Sequence, residues 1–493
     1  MFKKILIANR GEIAVRIART CRDLGIASVA LYDDTDAGSL HVRLADQCVR
    51  LSSSIGYVDQ GEVIRHALAT GAEAIHPGYG FLAEQPDFIR ACQDAGLVFI
   101  GPPASVVATL KDKIATLRQA AEAGFRTPSH SAAAYDDDEI DALRAEADRL
   151  GYPVVIKSCS GGRGRGTRVV RSPELVVEGL RQAQAGSAAV FRNRRVYLER
   201  AILPSRYVEV QLLGDQQGHL IHLGERDSSI QRNNQKLVSE SPAPYLSPAQ
   251  RERLWAAALK IARLFGCYSA CTVEFVVDQD EEFYFTEIKP RIQVEHSVTE
   301  MIAAVDIVRS QIRTAAGLPL TLRQEDVQLR GCAMQCRIKA EDPWNNFLPS
   351  PGQIELFRQP GGPYVRVDTY AYSSCAIPLR YDPMFAKLIV WGRDRDDCLN
   401  RMRRILEETF VTGIQTNLGL LQNVFEDNLF ALGTYNTEFS RRPLLGSHAP
   451  QSQLRDLAAI AAAVHVLRAG TGRPTQPERL SSGWHRSSRR LPN

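Results

Sequence analysis

The sequence predicts a mixed protein, α/β at its start and α+β beyond. A doubly wound parallel sheet comes first, then a module of strands and long helices, then a β-rich end. Three observations predict this. Residues 1–112 alternate apolar strand text with amphipathic helix text, the pattern of a parallel sheet covered on both faces. Residues 272–295, TVEFVVDQDEEFYFTEIKPRIQVE, set two β-rich runs about a polar turn, which reads as an antiparallel hairpin. Residues 330–445 add mainly β text and the helical run DDCLNRMRRILEETFV.

In chain order, KKILIAN is a buried strand and EIAVRIARTCRDLG an amphipathic helix closed by Gly25. IASVALY, AEAIHPG and LVFIGPP are further apolar strands, each preceded by helical text. NRGEIA stands where a dinucleotide site shows GxGxxG, so a nicotinamide cofactor lacks its main support. Residues 113–128 predict a helix, and polar SHSAAAYDDD follows. A helix over 138–150, the strand PVVIKS, a glycine-rich turn, the strand RVV, a helix and the strand RVYLER make a βαβ-like insert, small enough to be a mobile lid. From 202 to 320, strands RYVEVQLLGD and GHLIHLGERD alternate with the long helix PAQRERLWAAALKIARLFG. After Gly446 the composition shifts. LAAIAAAVHVL is apolar on nearly all sides and is expected to pack against something, and the Gly/Pro/Ser/Arg-rich remainder reads as disordered.

At 493 residues the chain can hold several domains with sizeable cores. A formal net charge of +4 implies no general attraction to nucleic acid or membrane, since His485, Arg486, Arg489 and Arg490 crowd the excess into the end. The start, MFKKILIANRGEIAVRI, lacks the cleavage site of a signal peptide. No run approaches the roughly 20 apolar residues of a membrane span. The ten cysteines show no CxxC spacing, and the pairs Cys267/Cys271 and Cys332/Cys336 read as packed thiols rather than zinc ligands. A reduced, cytoplasmic protein is expected.

The hairpin carries the chemistry. A turn centred on Asp280 and Glu281 sets Glu274 opposite Glu287, with about 5 Å between facing Cβ atoms. Two carboxylates there repel, so a cation belongs between them, and a hard metal ion with oxygen ligands is the usual one. A solvated acidic hairpin is the plainer alternative. Beyond it, Arg291, Gln293 and Glu295 recur every second residue and share one face of an extended segment. That offers an anion-binding guanidinium, an amide and a base together. Lys289 falls on the same strand face as Glu287; a charged ammonium ligates no metal, but it can occupy the cation's place itself. Upstream, Lys157 ends a strand before SCSGGRGRGTRVV, where Gly161, Gly162, Gly164 and Gly166 let backbone N–H groups face an anion and Lys157 and Arg165 add charge. The loop is not GxxxxGK[ST], which disfavours a P-loop nucleotidase. GERDSSIQRNNQK adds Glu225, Arg226, Asp227, Gln231 and Lys236. Together these are the charged groups a nucleoside triphosphate needs.

ILIANRGEIAVRI, IHPGYGFLAE, FIGP, DKIAT, YPVVIK, QKLVSESPAP, TVEF, RIQVEH, CRIKAEDP, FLPSPG and YDPMFAKLI, in this order over residues 1–445, resemble the biotin carboxylases of the ATP-grasp superfamily. These serve as subunits or domains of acetyl-CoA, other acyl-CoA, pyruvate and urea carboxylases. HPGYGFL, RIQVEH and FLPSPG together are highly specific. The resemblance implies a Rossmann-like N-terminal domain over 1–112 and an ATP-grasp domain over 113–328, with its lid at about 129–201. A C-terminal biotin carboxylase domain over 329–446 and a helix plus tail over 447–493 complete the expected division. It also implies the activity: biotin on a carrier protein is carboxylated from bicarbonate with ATP, through carboxyphosphate, as the first half-reaction of a biotin-dependent carboxylase. Lys113 and Lys157 look like lysines that hold ATP phosphates, and Glu199 and Ile202 like the adenine hinge. Glu209 and Gln231 fall near the ribose, and Lys236 matches an active-site lysine near bicarbonate and the phosphates. Glu274 and Glu287 match carboxylates for Mg²⁺ (or Mn²⁺). Arg291, Gln293 and Val294 match the bicarbonate site, Glu295 the general base, and Arg337 the residue that steadies the biotin enolate. None of the five methionines adjoins a lysine, as the family's biotinylated lysine would. A separate biotin carboxyl carrier protein and a carboxyltransferase are therefore implied partners, with a homodimer expected by resemblance.

The chain also departs from the family. Lys289 stands where the family has a metal-ligating asparagine, Ser160 and Arg163 where glycines are usual, Thr167 for methionine, and Tyr207 where histidine is frequent. Asn233 replaces an arginine, Ser239 a glutamate, Ser297 a proline and Lys339 an asparagine. Two other readings therefore stay open: a catalytically weakened paralogue with a binding or assembly role, and an ATP-grasp ligase acting on an acceptor other than biotin.

Overall fold

The computed structural model of the chain describes residues 1–136, 138–159, 166–191, 194–442 and 451–470. The expected strands of residues 1–112 form one parallel sheet. Lys4–Ile7 lies at its centre between Ala27–Tyr32 and Ala74–His76, with Gln47–Arg50 and Val98–Phe99 at the edges. Alternation along the central strand sends Ile5 and Ile7 into a core with Ile13, Ile17 and Cys21 of helix Gly11–Asp23, and Leu6 into a second core with Val29, Leu31 and Ile75. Both faces are covered, as a doubly wound sheet requires. Gln47–Arg50 escaped the sequence reading because QCVR carries no apolar alternation. Mostly exposed at an edge, it needs none.

The strand order turns back between Lys4–Ile7 and Ala74–His76, where such a sheet opens a crevice. Asn9 closes this one, its Nδ2 donating to the carbonyls of Pro77 (2.7 Å) and Tyr79 (2.9 Å). Gly78 sits at φ +60°, and a Cβ there would lie 2.9 Å from Asn9 Nδ2. Only glycine fits both demands, so the HPGYG turn packs tightly on the NRG turn and leads into Glu84.

A single antiparallel sheet of eight strands carries the rest. Its order is Phe283–Lys289, Ser269–Val277, Arg206–Gly214, Leu220–Asp227, Val238–Ser241, Cys332–Lys339, Met384–Gly392, Val365–Thr369. Helix Pro248–Leu264, closed at its start by a Ser247/Gln250 capping box, covers one part. Helix Arg395–Glu408, with Asp394 accepting from the Asp397 N–H at 2.8 Å, covers another. The pairing of Val238–Ser241 with Cys332–Lys339 carries this sheet across the expected boundary at 328/329.

The insert is a three-stranded sheet in which Val154–Ser158 runs antiparallel to both Arg168–Val170 and Val196–Arg200. Its outer strands are therefore parallel to each other, joined through helix Val176–Phe191: a βαβ crossover with a third strand between. Leu143, Val154, Ile156, Val170, Leu180 and Leu198 give it a core of its own. Gly161, Gly162, Gly164 and Arg165, and the tail 471–493, lie outside the described residues. Residues 445–493 form a second unit, in which helix Gln451–Gly470 leaves Ile460 and Val466 exposed. Its alanines favour helix by propensity.

Candidate active site

Three neighbouring strands bring three carboxylates into one row. Glu274 pairs in register with Glu209 on one side and Glu287 on the other. The facing of Glu274 and Glu287 is the one expected, but it is reached differently. Val277, Val276 and Phe275 face Phe283, Tyr284 and Phe285, which centres the turn on Asp280, and a bulge at Thr286 then restores the register. Glu209 and Glu274 are almost wholly buried.

Cationic side chains of the chain itself fill the row. Lys236 Nζ donates to a Glu209 oxygen in a very short contact and lies 3.3 Å from Glu274 Oε1. Glu287 Oε2 accepts from Lys113 Nζ at 2.5 Å and Lys289 Nζ at 2.6 Å. Gln293 Nε2 donates to Glu274 Oε1 at 2.6 Å, and the Tyr207 hydroxyl donates to the other oxygen. Behind them Arg226, fully buried, donates to Glu209 (2.9 Å), Gln211 (2.9 Å), Thr299 (2.8 Å) and Gln293 (2.7 Å). Burial alone would raise the Glu287 carboxyl, but Lys113 and Lys289 outweigh it and hold Glu287 well below the usual carboxylate range. Glu274 goes the other way: burial raises it more than Lys236 lowers it. Burial works against the charge on Lys289, yet Glu287, Glu274 and Glu84 push its pKa up.

The segment after Lys289 is not one extended face. Arg291 sits in a bend and Glu295 caps helix His296–Ala303, because Pro290 ends the ladder. Two of the three alternating side chains still converge. Gln293 joins the carboxylate row, and Glu295 contacts Arg337 closely with Lys236 at 3.9 Å. Arg291 instead stands 3.1 Å from Glu84. Glu295 is held below its ordinary range: burial opposes ionisation, but Arg337 and Lys236 outweigh burial. The Nε of Arg337 is buried without a hydrogen-bond partner, so it can still serve an anion, whereas the Nε of Arg291 is the atom set against Glu84. The Val294 carbonyl accepts from Lys387 Nζ at 3.1 Å.

The other expected residues lie apart. Lys157 Nζ donates to Glu199 at 2.6 Å on the three-stranded sheet, where the Tyr197 hydroxyl also reaches Glu199 at 2.8 Å. Ile202 follows that strand. Gln231 donates to the Ser228 carbonyl at 2.8 Å, and Gly166 opens the stretch leading into Arg168–Val170. Lys339 stays out of the carboxylate row and donates to Gln235 at 2.7 Å, beside Lys236. Sequence reasoning gave no role to Glu84 or Lys387. Lys387 had a signal, a lone charge within the apolar strand MFAKLIVWG; Glu84 had none, because its partner lies on a distant segment.

As metal ligands the residues fit in part. Glu274 and Glu287 offer hard oxygens, but Glu287 already holds two ammonium groups, and among the described residues no group of three or more His, Cys, Asp or Glu is placed to hold a metal ion.

The parallel sheet with its closed crevice, the small three-stranded insert and the carboxylate row laced with lysines and arginines lie in the spans that known families match. Three family models match in order: the biotin carboxylase N-terminal domain over 1–107, the carbamoyl-phosphate synthase L chain ATP-binding domain over 112–323, and the biotin carboxylase C-terminal domain over 335–442. Biotin carboxylase 1 of Bacillus subtilis is 44% identical over 89% of this chain and 98% of its own length. The biotin carboxylase of Pseudomonas aeruginosa is 43% identical over 90% of this chain and 99% of its own length. The biotin carboxylase domain dimer of Hydrogenobacter thermophilus 2-oxoglutarate carboxylase, solved with MgADP, ADP and bicarbonate, superposes with a TM-score of 0.87 at 41% identity, over 91% of this chain and 99% of that one. The chain belongs to the biotin carboxylase family.

Proposed function

We propose that the chain carboxylates carrier-bound biotin with bicarbonate and ATP, the first half-reaction of a biotin-dependent carboxylase. The observation that carries this is the meeting of Glu295, Arg337 and Lys236 beside the buried carboxylate row, in a chain of this family. Glu295, kept ionised by Arg337 and Lys236, is the base that takes the bicarbonate proton. Arg291 faces the bicarbonate anion with Gln293 and the Val294 main chain. Arg337, with a free buried Nε, donates to the oxygen anion of deprotonated biotin. Lys113 and Lys157, with the glycine-rich loop, hold the phosphates, Glu199 and Ile202 the base, and Glu209 and Gln231 the ribose side. Mg²⁺ or Mn²⁺ accompanying ATP would neutralise phosphate charge, with Glu274 as its carboxylate and Glu287 shared with lysines.

The same reading divides the chain at 1–112, 113–328 and 329–446, with the lid at about 129–201, which the spans of the three family models support. Its partners are a separate biotin carboxyl carrier protein and a carboxyltransferase subunit, with a second copy of itself. All ten cysteines are free thiols, in keeping with a reducing, cytoplasmic setting. No helix among the described residues is long and apolar enough to cross a membrane. The test is phosphate release from MgATP with and without bicarbonate and free biotin. Release that requires bicarbonate and rises with biotin supports the reading; release indifferent to both overturns it.

A further inference from the structure

One oxygen of the Glu287 carboxylate is already engaged twice from within the chain. That oxygen, Oε2, accepts from two ammonium groups, Lys113 Nζ at 2.5 Å and Lys289 Nζ at 2.6 Å. The two lysines differ in their freedom. Lys113 opens helix Lys113–Glu122 and keeps 13% of its side chain exposed, so it can swing to an incoming anion. Lys289 projects from the end of strand Phe283–Lys289, two residues beyond Glu287 and on the same face, with its side chain only 5% exposed. Its ammonium is the more deeply buried of the two and lies 2.6 Å from Glu287 Oε2.

A divalent ion on that carboxylate needs an oxygen at about 2.0–2.1 Å in near-octahedral surroundings. Here it would meet a fixed like charge already bound to the same oxygen. Close charges in a buried site are not screened by solvent. Glu274 accepts from Gln293 at Oε1 and from Tyr207 at Oε2 and keeps lone pairs for the one ion left to the nucleotide.

We propose that Lys289 is a resident cation: its ammonium permanently takes the position beside Glu287 that a second divalent ion would use, so each bound nucleotide is loaded with one Mg²⁺ rather than two. The inference rests on the proposed ATP site. The chain thereby trades an exchangeable charge of two for a covalently held charge of one. The hairpin stays compensated without metal, and Lys113 is left as the movable phosphate ligand.

Mn²⁺ binding to the full chain, followed by electron paramagnetic resonance at saturating non-hydrolysable ATP analogue, tests this, with bound analogue counted in the same samples. One tightly bound Mn²⁺ per analogue is expected, and two overturn the proposal directly, with no variant needed. Lys289→Asn is expected to bind two, with the second lost on adding back the positive charge as Lys289→Arg. Lys289→Met, which removes charge without adding an oxygen, is expected to bind the second ion more weakly than Lys289→Asn. A count of one in every folded variant overturns the role of Lys289. Absence of analogue binding in the unmodified chain overturns the proposed function itself, and is read separately from the metal count.

Discussion

Arg226 is the residue on which the site's order depends most, although no motif marked it beyond a charged cluster after a strand. Fully buried, it holds Glu209 and Gln293 with its own hydrogen bonds. Arg226→Met should cost about 3–5 kcal/mol, the usual penalty for leaving a buried charge unpaired, seen as a lower urea midpoint. Glu295→Gln keeps the shape but removes the base. Bicarbonate-dependent phosphate release should fall roughly 100-fold or more, with thermal stability little changed. Single residues were legible where a residue count suffices: Glu274 faces Glu287 as counted from the turn, while Glu295 leaves the extended face expected for it and begins a helix. Arg291 stood out in the sequence as a guanidinium, but its Glu84 partner did not, because pairing across distant segments leaves no local periodicity.

The hairpin shows at the scale of one element what sequence can and cannot say. The facing of Glu274 and Glu287 followed from counting residues about the turn. The turn is in fact centred half a position earlier, on Asp280 alone, and the bulge at Thr286 corrects it; a bulge adds one residue without any compositional mark. Strand Leu220–Asp227 carries its own liability. Asp227 faces Glu240 across the ladder; burial chiefly, then Glu240, push its pKa up to about 7 despite hydrogen bonds from Ser229. A carboxyl whose folded pKa lies above its unfolded value stabilises below the unfolded pKa and loses that contribution as pH rises through the folded one. Unfolding free energy should therefore decline between about pH 4 and 7, by ~4 kcal/mol at most from this group. Asp227→Asn should flatten that part of the curve in urea titrations at each pH.

Across the whole molecule, the modules are tied together through buried charge. Lys387, with no exposed surface, binds Glu12 (3.1 Å), Asp368 (3.3 Å) and the Val294 carbonyl (3.1 Å), joining the first helix, the last sheet strands and the site. The order of modules was legible because each has its own periodicity; their union in one sheet was not, since strands 238–241 and 332–339 lie far apart in sequence. Residues 1–444 form one compact unit, so removing 445–493 should shift Tm by less than about 2 °C by calorimetry. A cut at 328 is another matter. Strand Val238–Ser241 would lose its partner Cys332–Lys339 and show water a row of open N–H and C=O groups, and such an edge recruits strands from other molecules. A fragment ending there should precipitate or swap strands rather than stay monomeric in size-exclusion chromatography, while a separately supplied 329–446 piece should rescue it by completing the ladder.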